Sequence, residues 1–258
     1  KNLGFRKVPV ETSNSQLVIY NSPDGKISYS FFDSDFVYLN QEALPKIHVV
    51  NFIKSFKHQD LTNFVKEIRD IITNQAQVFS VKIEELKPLY IDLKSGGGRS
   101  MFKPYLNRIE FKENHLKIPF VKKEEVCHYI SRHKISPNIL PYLSETTPPI
   151  VCGPERSLSP YMIRIKSKII PQFVKNPKDL RFYFGILLNS NKIEELESIG
   201  YAMADLFSEY FLVKHTSKEL LEFLKTIPSI DPLEEGLTVE EFVRLFNEFT
   251  KQKLTVEE

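Results

Sequence analysis

The chain has 258 residues, 41% of them apolar and 26% charged, the balance of a folded globular protein rather than a disordered one. A chain this long buries most of its unfolded-state surface, so its core requires no disulfide or metal. Its two cysteines, Cys127 and Cys152, are too few for a disulfide framework and fit an intracellular, reducing compartment, cytoplasm or nucleus. The longest clean apolar run, 182–188, is strand-sized, so no membrane partner is expected. No signal peptide opens the sequence, and the first residue is Lys1 rather than methionine, as in a piece of a larger protein.

Charge is unevenly spread. The net charge is +2, but residues 192–258 hold 7 basic and 15 acidic side chains, a balance of −8, which leaves 28 basic and 18 acidic in 1–191, a balance of +10. A basic body joined to an acidic end points to an anionic partner, or to mutual neutralisation.

In chain order, residues 16–21 (QLVIYN) and 26–32 (KISYSFF) flank Ser-Pro-Asp-Gly, a hairpin signal. Residues 35–39 predict a third strand. Apolar residues at 61, 64, 65, 68, 71 and 72 lie on one helical face and predict a helix over 60–74. Residues 78–82 and 88–94 read as strands, and 108–112 with 116–120 as a hairpin around Glu113-Asn114-His115. A helix is expected over 122–134. Pro137, Pro141, Pro148, Pro149, Pro154 and Pro160 then mark a connection over 137–160. Residues 162–173 and 180–188 predict strands. From Lys192 the pattern turns helical, with Thr216/Glu219 and Thr238/Glu241 spaced as capping boxes.

The expected fold class is therefore α+β, a strand-rich body of mixed or antiparallel pairing followed by a helical C-terminal subdomain. The expected organisation is a body over 1–136, the proline-rich connection, and strands then acidic helices over 161–258. The last part may also be read as continuous with the body.

The most unusual stretch is 94–108, KSGGGRSMFKPYLNR. Gly96, Gly97 and Gly98 lack Cβ atoms, which lets backbone N–H groups approach an oxyanion. Lys94, Arg99, Lys103 and Arg108 surround them, interleaved with Phe102 and Tyr105. Basic groups neutralise phosphates and aromatic faces stack bases, a combination suited to single-stranded nucleic acid. The stretch matches neither a Walker A loop nor a dinucleotide fingerprint. A second basic row, Arg164, Lys166 and Lys168, would share one face of the expected strand. The leading expectation is a non-enzymatic nucleic-acid-binding module within a larger assembly, needing no cofactor.

Two alternatives stand beside it. One is a protein-interaction subunit, whose partner would dock on Phe242, Leu245, Phe246 and Phe249 of the C-terminal helices. The other starts from Asp92-Leu93-Lys94, an acidic residue, any residue and lysine at a strand's end. This triplet resembles the core of the PD-(D/E)xK nucleases. The resemblance implies Mg²⁺ held by Asp92 and an upstream carboxylate, here Glu84 or Glu85, with Lys94 beside them. Other motifs fail on spacing: His128 and His133 are five apart, about 140° around a helix, and cannot share a metal there.

Overall fold

The computed structural model describes residues 6–8, 17–21, 27–32, 35–40, 44–53, 55–56, 58–135, 141–153, 156, 159, 162–164, 166–167, 185, 187–188, 197–228 and 237–252, with backbone alone through residue 40. The fold class is α+β. The chain divides into two compact units, Lys1–Ile130 and Ser131–Glu258.

The first unit is built on one sheet of eight strands in the order β1-β2-β3-β4-β5-β6-β8-β7. An antiparallel meander leads in: β1 (Arg6–Val8), β2 (Leu17–Asn21), β3 (Ile27–Phe32) and β4 (Asp35–Asn40). β2 and β3 pair in register from Leu17↔Phe32 to Asn21↔Ser28, as the hairpin signal predicts; its turn lies outside the described residues. The remaining four strands form the mixed part: β5 (Ile47–Asn51), β6 (Leu89–Lys94), β7 (Met101–Lys103) and β8 (Arg108–Lys112). β5 runs parallel to β6, and β6 parallel to β8, while β7 closes the edge antiparallel to β8.

Parallel neighbours need a crossover, and α1 (His58–Val78) supplies it between β5 and β6. Leu61, Phe64, Val65, Ile68, Ile72 and Ala76 are its buried stripe, the spacing of one helical face. They cover the sheet face that carries Ile47, Val49, Leu89, Ile91, Leu93, Ile109 and Phe111, all fully buried. Phe64 meets Phe111 edge to face at 5.6 Å. α2 (Pro119–Ser131) lies on that same face. Its Tyr129 ring contacts Phe102 of β7 at 6.3 Å, and its hydroxyl donates to the Lys87 carbonyl. Both helices thus pack on one side of β5–β8, and among the described residues of this unit none covers the other side.

Several expected strands are helical or turn instead. Residues 78–82 hold the end of α1, a left-handed turn at Ser80 (φ +52°) and the approach to a 3-10 turn over Ile83–Glu85. Good helix formers at 75–77 extend the helix, and the Val81 N–H caps it on the Ala76 carbonyl at 2.8 Å. Residues 116–120 form no hairpin strand. Glu113–His115 is a 3-10 turn, and Pro119 opens α2, where its missing N–H costs nothing.

The second unit is helical throughout its described residues: α3 (Pro141–Ser144), α4 (Pro148–Cys152), α5 (Glu197–Leu212), α6 (Ser217–Thr226) and α7 (Val239–Thr250). Parts of the proline-rich stretch are therefore helical turns. The strand expected over 162–173 is corrected: Met162–Arg164, Lys166 and Ser167 are helical. The Ile163 N–H bonds the Ser159 carbonyl, and Ser159 Oγ accepts from the Met162 N–H, a capping pattern that overrides the alternation. Gly185, Leu187 and Leu188, within the strand expected over 180–188, are helical too. Phe207, Phe211, Phe223, Phe242 and Phe246 form one aromatic cluster with ring centroids 5.4–6.2 Å apart. No helix among the described residues is long and apolar enough to cross a membrane.

Candidate nucleic-acid interface

Side chains alternate across a strand, so with residues 47, 49, 89, 91, 93, 109 and 111 under the helices, their neighbours share the uncovered face. Register arranges them in rows across the strands. His48, Tyr90, Arg108 and Lys103 make one row, Val50, Asp92, Glu110 and Met101 the next, and Lys94 with Lys112 a third.

Glu110 is the centre of this face. Lys94 of β6 and Lys103 of β7 reach its Oε2 at 2.9 and 2.8 Å, and Lys112 of its own strand reaches Oε1 at 2.8 Å. The hydrogen bonds from Lys103 and Lys112, with that from Lys94, outweigh desolvation and hold the carboxyl down at about 2. The lysine stems shield it, leaving Glu110 only 7% exposed. Asp92, beside it in register, takes Arg108 Nη1 at 3.3 Å. Four cations thus surround two carboxylates, a surplus of two positive charges on a partly exposed surface. The Arg108 Nε is shielded from water and has no acceptor.

One row away, the His48 and Tyr90 rings stack nearly parallel, centroids 4.8 Å apart and planes 14° apart. Burial, and the neighbouring charge of Lys46, lower the His48 pKa, so the imidazole is neutral near pH 7. Tyr90 is 40% exposed.

The glycine-rich loop joins β6 to β7 above Lys112. Gly96 and Gly98 have φ of +85° and +122°, a backbone that L side chains rarely adopt. Ser100 anchors the loop: its Oγ accepts from the Lys112 N–H at 3.1 Å, and its N–H donates to His115 Nδ1 at 3.2 Å.

Of the residues expected to bind nucleic acid, Lys94, Lys103 and Arg108 come together around the carboxylates. Gly96, Gly97, Gly98 and Arg99 lie on the exposed loop. Phe102 faces the opposite side, against Tyr129. Tyr105 sits in the 3-10 turn Pro104–Leu106, and its side chain is not among those described. Arg164 and Lys166 belong to the second unit, on helical backbone rather than a strand face, and Lys168 lies outside the described residues. Lys166 is engaged by Asp205 and Glu209. Burial alone would lower its pKa, but those two hydrogen bonds raise it above the ordinary value.

Glu84 and Glu85 sit on the exposed 3-10 turn before β6, with Glu85 3.9 Å from Lys82. The carboxylate in register with Asp92 is Glu110 instead. Sequence reasoning missed Glu110, Lys112, His48 and Tyr90. The alternation Arg108-x-Glu110-x-Lys112 beside Tyr90-x-Asp92-x-Lys94 was the available signal, but only pairing makes the two triplets one site. Of the docking face expected at the C-terminus, Phe242, Phe246 and Phe249 contact the rings of the unit's own α5 and α6.

No protein-family model matches the chain, and no curated protein matches it at a significant level.

Proposed function

We propose that the protein is a non-enzymatic nucleic-acid-binding module whose contact surface is the uncovered face of β5–β8 with the adjoining glycine-rich loop. The observation that supports this reading is the surplus of cations around Glu110 and Asp92. Each lysine there presents three donors and spends one on Glu110, so phosphate oxygens can be met without breaking the network. The glycine backbone next to Lys112 offers further N–H groups to an oxyanion.

Filter binding of single-stranded DNA across a salt series tests it. Affinity is expected to fall log-linearly with salt, with a slope of about −0.7 per phosphate neutralised. The double substitution Lys94→Ala with Lys103→Ala should reduce that slope. Arg99→Ala with Lys103→Ala reports on the loop in the same assay. Salt-independent or undetectable binding of the wild-type protein overturns the reading.

The second reading is the Mg²⁺-dependent nuclease, favoured by Asp92 and Glu110 standing in register with a lysine two residues after each. As arranged, the donor set fits a divalent ion poorly. Both carboxylates are taken by ammonium or guanidinium groups, and a metal would enter a field already positive. A cleavage assay with Mg²⁺ separates the readings: turnover abolished by Asp92→Ala would establish hydrolysis, and its absence leaves binding alone.

A further inference from the structure

The His48–Tyr90 stack lies outside every motif legible in the sequence, yet it occupies the same sheet face as the lysines. Aromatic rings normally bury, and here one stands 40% exposed on a surface otherwise polar. His48 supports one side of the Tyr90 ring, so the free side is directed toward the neighbouring strand β8. There Arg108 is the in-register neighbour, tied to Asp92 through Nη1 but with Nε unpartnered. Lys103 is one strand farther, roughly 10 Å from Tyr90 at ordinary strand spacing. An aromatic platform, a planar cation beside it and an ammonium beyond are what one unpaired nucleotide requires: a ring for its base and charge for its phosphate. Duplex bases stack on one another and cannot offer a face to Tyr90 without being extruded.

We infer that Tyr90, backed by His48, is a base-stacking subsite that makes the surface selective for single-stranded nucleic acid, with Arg108 and Lys103 holding the adjacent phosphate; this rests on the nucleic-acid reading above. The base continues the His48–Tyr90 stack on the side facing β8. Every base has a π face, so the subsite tolerates all four bases and discriminates strandedness instead.

The test uses the full chain and a fluorescently labelled single strand of about 12 thymidylates, near the span one such surface covers. A second probe has the same backbone with every base removed. Wild-type protein is expected to bind the base-bearing strand roughly five- to hundredfold more tightly than the abasic one. Tyr90→Leu keeps apolar bulk on the sheet without an aromatic face, and should lower affinity for the thymidylate strand to that for the abasic strand. The salt slope, a property of the phosphate contacts, should not change. Tyr90→Phe should bind as wild type. Equal wild-type binding of the two probes, or unchanged discrimination in Tyr90→Leu, overturns the stacking subsite while the salt slope still supports the basic surface. Failure of wild-type protein to bind either probe overturns the nucleic-acid reading itself. The abasic comparison on wild-type protein needs no substitution, so the outcome does not depend on any variant folding.

Discussion

Glu110 concentrates most of the electrostatics of the first unit in one side chain. Its carboxyl, held at about 2 by three lysines, lies below the ordinary glutamate value of about 4.3. The folded state therefore binds its proton more weakly than the unfolded chain does. The resulting stability is fully present above about pH 4.5 and is lost as pH falls toward 2. Urea midpoints measured between pH 5 and 2.5 should drop across that window and flatten in Glu110→Gln. At pH 7, Glu110→Ala leaves three ammonium groups facing each other without a counter-charge, and should cost about 3 kcal/mol. The substitution should also tighten polyanion binding by removing a competing carboxylate, opposite to its effect on stability. Asp92 and Lys94 were legible as a triplet, but not their partners, because a carboxylate's neighbours depend on which strand lies alongside it.

At the level of elements, local rules carried far where the signal was local. The helix expected over 60–74 is found as α1, with 61, 64, 65, 68 and 72 buried. Thr216 and Glu219 form a full capping box, and Thr238 Oγ1 accepts from the Glu241 N–H at 3.2 Å. Thr216→Ala should cost about 1 kcal/mol, read as a shift in the thermal midpoint. Propensity alone misleads at Gly200, inside α5. Alanine there would gain about 1 kcal/mol of helix propensity. Its Cβ, however, would sit 2.5 Å from the ring of the buried Tyr142, and overpacking of that kind costs roughly 1–3 kcal/mol. Gly200→Ala should therefore destabilise, and a stabilised variant would show that Tyr142 can move. Residues 78–82 and 162–167 were expected as strands on composition. They are helical or turned because capping bonds from Val81 and Ser159 act on the backbone directly, whereas β propensity takes effect only when a partner strand is available.

Across the whole molecule, charge is handled differently in the two units. The first displays its cations on a sheet face. The second buries them: Arg156, 3% exposed, meets the fully buried Asp205 at 2.6 Å, and Lys166 bonds the same carboxylate. Removing one partner of a buried pair leaves the other uncompensated, so Asp205→Ala should cost about 3–5 kcal/mol in urea denaturation. Polyanion binding by the folded protein and its salt slope should be unchanged, since the proposed surface lies wholly within residues 44–112. Loss of binding in folded Asp205→Ala would show that the helical unit contributes to it. Sequence alone determined the α+β class, the basic body and acidic end, the first long helix and the glycine-rich loop, because composition, periodicity and turn chemistry act over a few residues. The tertiary structure alone decided that Glu110 rather than Glu84 or Glu85 stands beside Asp92, that Phe102 turns away while Tyr90 turns outward, and that lysines from three strands share one carboxylate. Those outcomes follow from strand order and register, which bring residues some 20 apart in the chain into adjacent rows, and no local pattern encodes which strand will be the neighbour.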